Sequence, residues 1–214
     1  MGRRTWLALA VVLGGALVCL LGLTLLHAEL GRLTGFDTAV QGFVHGWAAP
    51  WVTQVMLALT WLGAVRTFLP AVFVVGIVLG VQRRWRELAA LAFAEAGAFA
   101  LDRALKMHFH RARPVVPWAI GEEHTFSFPS GHSLFAMVIY GTLVWLALRR
   151  EWKGLLAAGL VAAGLVVMIG VSRIYLGMHW PTDVLAGWFV GAVWVLVVVV
   201  VDFCLGKNRQ PMKR

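Results

Sequence analysis

Six long apolar runs recur along this chain of 214 residues and leave little room for anything else. At a rise of about 1.5 Å per residue, about 20 apolar residues in a helix cross the hydrocarbon core of a membrane, which is about 30 Å thick. We predict membrane-spanning helices at residues 6–26, 62–82, 87–106, 133–148, 154–172 and 183–201. The sequence therefore predicts an all-α fold, a bundle of six transmembrane helices.

Composition excludes an ordinary soluble domain, because 60% of the residues are hydrophobic and only 14% are charged. No polar block separates the apolar runs, so we expect residues 1–214 to form a single integral-membrane domain. The net charge of +9 comes from short basic clusters between the runs rather than from one polar face. This distribution favours contact with the bilayer and argues against a nucleic-acid partner. It leaves the oligomeric state open.

The segment before the second run permits two interpretations. Apolar side chains follow Pro50 at helical spacing, namely Trp51, Val52, Val55, Met56 and Leu59. They predict either a short amphipathic helix that lies in the membrane interface or an extension of the second span. That span is the weakest of the six, because Arg66 and Pro70 lie within or beside it.

Orientation follows from the basic residues, which are retained on the cytoplasmic side of a membrane. Placing both termini in the cytoplasm puts most of the Lys and Arg residues there. The first run is read as a retained span rather than a cleaved signal peptide, because it is long and lacks a convincing small-x-small cleavage site. The remaining basic residues cluster in two places on the outer side, which the charge bias does not explain.

Three polar segments fall at the outer ends of spans three to six under this topology. They are Lys106-x6-Arg113-Pro114, then Pro129-Ser130-Gly131-His132, then Ser172-Arg173-x5-His179-x3-Asp183. The spans were assigned without reference to these segments. Their convergence on one membrane face therefore predicts a single functional site.

The second segment resembles the start of a helix that binds an anion. Ser130 is a good helix cap, and Gly131 allows a ligand to approach the backbone closely. The first turn of a helix presents unpaired N–H groups and a partial positive charge, which suit phosphate. His132 would stand beside that anion and could protonate a leaving oxygen. The tetrapeptide alone is equally consistent with a plain cap and an interfacial histidine.

Lys106, Arg113 and Arg173 add three positive charges at the same face, which could balance a phosphate dianion. For Lys106 alone, a basic side chain that reaches the interface is the simpler interpretation. Arg113 and Arg173 are harder to explain in that way, because Pro114 stops a helix at Arg113 and Arg173 lies deep at a span end.

His179 and Asp183 indicate the chemistry. Pro181 suits the first turn of the last span, so Asp183 would lie near its start and His179 on the entering loop. A carboxylate there can accept a hydrogen bond from one ring nitrogen and leave the other facing phosphorus. An isolated His and Asp pair is more often structural, but together with the other segments it predicts a nucleophile.

The three segments match, without departure, the signature motifs of the type 2 phosphatidic acid phosphatase family over residues 106–183. The resemblance implies metal-independent, cofactor-free hydrolysis of a membrane lipid phosphate or diphosphate. His179 would attack phosphorus to form a phosphohistidine, Asp183 would orient it, and His132 would protonate the leaving group. The residues that resemble the phosphate cradle of the family are Lys106, Arg113, Ser130, Gly131 and Arg173.

Within the family, the chain is similar to bacterial undecaprenyl diphosphate phosphatases and to phosphatidylglycerophosphate phosphatases of the B type. The resemblance implies a bacterial cytoplasmic membrane, with the site facing outside. The expected order of substrates is undecaprenyl diphosphate, then phosphatidylglycerophosphate, then lipid A phosphate.

The sequence also bears on two other classes of protein. Vanadate-dependent haloperoxidases share the motif set, but they are soluble, and six apolar runs argue against that class. A lipid transporter or flippase would place its charges near mid-membrane in broken helices, whereas here they crowd at one face.

Several other polar residues are not assigned to the predicted site. Glu95 lies near the middle of the third span, where a structural hydrogen bond to a neighbouring helix is at least as plausible as a functional role. His108, His110 and Arg111 are expected in a solvated basic loop. The roles of Glu122, Glu123 and His124 are left open, and no cluster has metal-ligand spacing.

Overall fold

The computed structural model describes residues 3–121 and 125–205, with side chains from Thr5 onward. Within these ranges all the regular secondary structure is α-helical, which confirms the predicted all-α class. The helices are α1 (Arg3–His45), α2 (Pro50–Leu62), α3 (Val65–Val81), α4 (Trp85–Phe109), α5 (Gly131–Leu148), α6 (Leu155–Tyr175) and α7 (Pro181–Leu205). Residues 122–124, whose role was left open, lie outside the described residues.

Four of the described helices are long and apolar enough to cross a membrane by themselves, namely α1, α5, α6 and α7. A fifth span results if α2 and α3, which are bent by 46° at a short break, cross together. The predicted third span does form a helix, α4, but Glu95, Asp102 and Arg103 reduce its apolar character. The described helices thus support four or five spans by composition, and the sixth remains a prediction.

Helix α1 is much longer than the predicted first span. That span was expected to end at residue 26, but the helix continues to His45. Its 43 residues extend about 64 Å at 1.5 Å per residue, about twice the thickness of a hydrocarbon core. Asp37 and Gln41 are buried in this extension. The second half of α1 therefore packs on protein beyond the apolar run.

The segment after Pro50 forms a helix of its own, with Pro50 in its first turn. Helix α2 ends at Leu62, and α3 begins at Val65 after a bend. The segment is therefore a separate helix, and both predictions remain open: a position in the membrane interface, or an extension of the second span as a bent helix pair. Packing of α2 against α6 brings it close to the end of the bundle described below.

The bundle is held together where small residues let helices approach closely. On α7, Gly187 faces the backbone carbonyl of Ser130 and the side chain of Ser133 at the start of α5. On α4, Gly97 lies against the indole of Trp194, which donates a 2.9 Å hydrogen bond to the carbonyl of Ala94. The Ala- and Gly-rich sequence of α4 thus allows close helix packing.

The two ends of the bundle differ in character. At one end, Asp202 of α7 pairs with Arg86 and Arg149, each at 2.7 Å, and so ties α4 and α5 to α7. At the other, the last turns of α4 and α6 meet the first turns of α5 and α7. We call this second end the site end, because it holds the three polar segments.

Substituting alanine for Gly187 is expected to lower the thermal unfolding midpoint of the protein in detergent. The new Cβ would lie 2.6 Å from the Ser130 carbonyl oxygen and 2.9 Å from Ser133 Cβ, and overpacking of this kind costs about 1–3 kcal/mol. Gly164→Ala on α6 is the matched control, because nothing lies within 4 Å of its Cβ. The control midpoint should stay level or rise. Equal midpoints for the two variants would contradict the close α5–α7 contact.

Candidate active site

A tight turn between α6 and α7 places His179 close to Asp183. Gly177 has φ +68°, and a Cβ there would crowd Val116 and Ala119, so the turn requires glycine. The backbone N–H groups of Met178 and His179 both donate to the carbonyl of Arg173, at 3.0 and 3.3 Å. The loop therefore folds back over the end of α6.

Helix α7 begins at Pro181, as predicted, and its first turn is capped by Asp183. The carbonyl of Trp180 accepts bonds from the N–H groups of Asp183 and Val184, at 3.0 and 3.3 Å, so Trp180 is the N-cap residue. Oδ2 of Asp183 accepts a 2.9 Å bond from the Trp180 N–H. This bond is the half of a capping box in which the N3 side chain accepts from the N-cap N–H, with Asp in place of Glu. It orients the carboxylate toward the loop that carries His179.

The two ring nitrogens of His179 have different surroundings. Nδ1 lies 3.4 Å from Oδ2 of Asp183 and 3.3 Å from Oγ of Ser127. Nε2 lies 3.1 Å from Nη1 of Arg113. A guanidinium group can only donate, so Nε2 accepts and the proton of the neutral ring sits on Nδ1. The fully buried imidazole is thus held with its basic nitrogen toward a cation.

The carboxylate of Asp183 is fixed by donors on both oxygens. Oδ1 accepts a 2.5 Å bond from Arg111, and Oδ2 accepts a 2.5 Å bond from the hydroxyl of Ser127. With Trp180, three donors besides the imidazole hold this fully buried group. Both oxygens therefore serve as acceptors, and the group is held with one oxygen toward His179.

Lys106 lies at the end of α4, where it meets the start of α5. Its Nζ is 2.9 Å from a carboxylate oxygen of Asp102, one helical turn earlier. A Cβ on Gly131 would lie 3.1 Å from Nζ and 2.8 Å from Asp102 Oδ1. Glycine at 131 therefore lets the ammonium group approach the first turn of α5.

Arg113 joins the loop before α5 to the third segment. Besides its contact with His179, it donates a 2.7 Å bond to the carbonyl of Met178 and a 2.9 Å bond to the carbonyl of Thr125. These bonds keep the guanidinium against the imidazole and tie the loop before α5 to the loop before α7.

Ser130 is the N-cap residue of α5, as predicted, although its side chain makes no capping hydrogen bond. The hydroxyl instead accepts a 3.1 Å bond from Ser133, and the backbone N–H donates a 2.9 Å bond to the Asp183 carbonyl. The start of α5 is thus joined directly to α7. Its first-turn N–H groups have no intrahelical acceptor and lie at the same end as Lys106, an arrangement suited to an anion.

His132, in the first turn of α5, lies within electrostatic range of residues from the first and the third segments. The charges that act on it belong to Arg173, His179, Lys106 and Arg113. Arg173 is buried and donates a 2.8 Å bond to Oγ1 of Thr60 on α2. The structure thus brings the eight predicted residues together at the site end: Lys106, Arg113, Ser130, Gly131, His132, Arg173, His179 and Asp183.

Four further polar residues border this cluster and were not predicted. Ser127 and Arg111 contact Asp183, Thr60 contacts Arg173, and Asp37 contacts Arg111. Ser127 could have been suspected, because it lies three residues before Ser130. The sequence offered no signal for Asp37 or Thr60, which lie on other helices.

The expectation of a solvated loop was wrong for Arg111. Its side chain is only 14% exposed and forms ion pairs with Asp37 and Asp183. His108 and His110 are exposed, as expected. Glu95 lies outside the cluster, and within the described ranges neither of its carboxylate oxygens has a hydrogen-bond partner. The structural hydrogen bond expected for it is therefore not observed.

Comparison with known proteins identifies the class. Residues 87–205, more than half of the chain, match the family model of the PAP2 superfamily. The chain belongs to this superfamily. A phosphatidylglycerophosphatase B of Bacillus subtilis is 32% identical to this PAP2 protein over 165 residues, which are 75% of this chain and 80% of the relative. An undecaprenyl-diphosphatase of Sulfolobus acidocaldarius is 40% identical over 70 residues, 33% of this chain and 30% of the relative.

The fold comparison agrees. The crystal structure of a transmembrane PAP2-type phosphatidylglycerolphosphate phosphatase from Bacillus subtilis is similar with a TM-score of 0.81 and 28% identity. The match covers 90% of this chain and 98% of the other. This PAP2 protein is therefore a membrane lipid phosphatase, a hydrolase of phosphoric esters. The comparisons confirm the prediction that this protein is an enzyme and give no support to the transporter alternative.

Proposed function

We propose that this PAP2 phosphatase removes the terminal phosphate from membrane lipid phosphates and diphosphates through a phosphohistidine on His179. The observation that supports this most directly is the setting of the imidazole. Its Nε2 lies 3.1 Å from Arg113, and its Nδ1 faces the carboxylate of Asp183. Such a ring is a nucleophile aimed at the place where cations would hold a phosphate.

In the first half of the reaction, the substrate phosphate lies among Lys106, Arg113, Arg173 and the first-turn N–H groups of α5. Nε2 of His179 forms a bond to phosphorus while the bond to the lipid oxygen breaks. The departing oxygen takes the electron pair and receives a proton from His132. The imidazole becomes cationic, and Asp183 stabilises that charge through Nδ1.

In the second half, water attacks phosphorus and the P–N bond breaks. His132, having lost its proton, accepts one from the attacking water. His179 recovers its electron pair and its neutral form, and inorganic phosphate leaves. One water is consumed per turn, and no metal takes part in any step of this scheme.

We propose two lipids as the leading candidate substrates. Phosphatidylglycerophosphate is favoured by the Bacillus subtilis relative, which matches three quarters of this chain. Undecaprenyl diphosphate, the first choice from the sequence, is favoured by the Sulfolobus acidocaldarius relative, which matches only a third. Both present a terminal phosphate on an apolar tail, and a site at the end of a bundle can take the headgroup while the tail stays in lipid.

We also propose the topology predicted from the basic residues. Both termini lie in the cytoplasm, and the site end faces the outside of a bacterial cytoplasmic membrane. Helix α4 would then be the sixth span, with its polar residues directed into the bundle, where charged side chains are tolerated.

The proposal is tested by assaying the purified protein in detergent, with EDTA present, on a panel of these two lipids and lipid A phosphate. We expect phosphate release without added metal. Acid-labile, alkali-stable phosphate should be recovered on the protein after a rapid alkaline quench, and peptide mapping should locate it at His179. Activity that disappears with EDTA and returns with a divalent metal, or label on another residue, would contradict the mechanism.

A further inference from the structure

A buried chain of charges leads from Asp183 to the first helix. Arg111 donates from Nη1 to Oδ1 of Asp183 at 2.5 Å and from Nη2 to Oδ2 of Asp37 at 2.7 Å. Both carboxylates are fully buried, and the guanidinium lies between them. Arg111 is one of the six unspecified positions of the first segment, and Asp37 lies on α1, outside the matched family region.

Asp37 holds the start of α7 as well as Arg111. Its Oδ1 accepts a 2.9 Å bond from the backbone N–H of Thr182, and its Oδ2 accepts a 2.8 Å bond from the Thr182 hydroxyl. Arg111 also donates a 2.7 Å bond to that hydroxyl. A carboxylate from α1 therefore satisfies a first-turn N–H of the helix that carries Asp183.

We propose that Arg111 is a positioning residue for Asp183, and that Asp37 acts through Arg111. The proposal rests on the proposed roles of His179 and Asp183. Because Arg111 binds Oδ1, the other oxygen of Asp183 is left to face Nδ1 of His179. Without the guanidinium, the buried carboxylate would lose its cation and could turn away from the ring, so Nδ1 would no longer be held as the protonated nitrogen.

The surroundings of Arg111 offer a way to separate positioning from simple structural support. The guanidinium stacks over the ring of Trp180 at 5.5 Å, and both residues line a cavity of about 410 Å³ between α1 and the loop after α4. Asp37 and His27 line the same cavity. A small guanidinium compound could therefore enter and replace a truncated Arg111 side chain.

The test compares steady-state kinetics of Arg111→Ala, Arg111→Lys, Asp37→Asn and the Arg111→Ala/Asp37→Asn double variant on one lipid phosphate. We expect Arg111→Ala to lower kcat by up to about a hundredfold, as expected for a misplaced catalytic group, with a smaller change in KM. Added guanidinium or methylguanidinium ion should restore part of kcat, and Arg111→Lys should retain part of it. Asp37→Asn, whose remaining amide oxygen can still accept from the Thr182 N–H, should lower kcat less, and its effect should be smaller once Arg111 is alanine.

Arg32→Met is the control, because this arginine of α1 is exposed and pairs only with Glu29 among the described residues. It should leave kcat unchanged and show no response to guanidinium. The proposal is overturned if Arg111→Ala keeps kcat within a factor of about two, or if its loss is neither restored by guanidinium nor reduced by lysine. His179→Ala distinguishes this failure from that of the proposed function. If His179→Ala is inactive while Arg111→Ala keeps its activity, only the positioning role of Arg111 is contradicted. If His179→Ala is itself active, the proposed function is contradicted.

Discussion

Replacing His179 by alanine is expected to lower kcat for lipid phosphate hydrolysis by at least about ten-thousandfold, because loss of a nucleophile removes the covalent route altogether. The ring is buried between Arg113 and Asp183. The measurement is phosphate release from a lipid phosphate in detergent, with the unfolding midpoint recorded for the same preparation. The phosphorylated protein species should also disappear.

His108→Ala provides the matched control for this variant. His108 is exposed on the last turn of α4, so its loss should leave kcat within about twofold. Retention of more than about a tenth of wild-type kcat by His179→Ala would mean that the nucleophile has been misassigned.

His132→Ala is expected to produce the second largest effect, and the effect should depend on the leaving group. For a lipid phosphate, whose alcohol needs a proton as it departs, kcat should fall by about a hundredfold to ten-thousandfold. For p-nitrophenyl phosphate, whose phenolate leaves without a proton, formation of the phosphohistidine should be much less affected. Rapid-quench measurement of phosphoenzyme formation compares the two substrates directly.

The leaving-group comparison separates acid catalysis from phosphate binding. Lys106→Ala removes a cation from the same end of α5, so it should slow both substrates by similar factors. Equal losses on both substrates for His132→Ala would contradict the role of proton donor and would place His132 with the phosphate-binding residues instead.

Local pattern was sufficient for most of the helices and for the proposed site. Each of the six predicted spans overlaps a helix of the structure, because run length and helical rise depend only on nearby residues. Ser130 and Pro181 marked the starts of α5 and α7 correctly, since capping preferences are also local.

Failures arose where a residue's partner is far away in the chain. The length of α1 was underestimated because residues 27–45 are too polar for a span, and their helix is stabilised by packing on the site end. Arg111 was predicted to be solvated because its partners, Asp37 and Asp183, are more than 70 residues away in the sequence. Glu95 was expected to find a hydrogen bond, and tertiary packing left it without one within the described residues.

What the sequence by itself determined is the helical class, the approximate helix positions and the identity of eight residues that meet at one end of the bundle. These follow from spacing along the chain, which fixes helix length, helix starts and the order of chemical groups. Only the tertiary structure decided which nitrogen of His179 carries its proton, and that α1 and α2 contribute Asp37 and Thr60. The tautomer depends on a contact between Arg113 and His179, which are 66 residues apart, and Asp37 and Thr60 contact residues more than 100 positions away. Contacts of this kind leave no periodic pattern in the sequence.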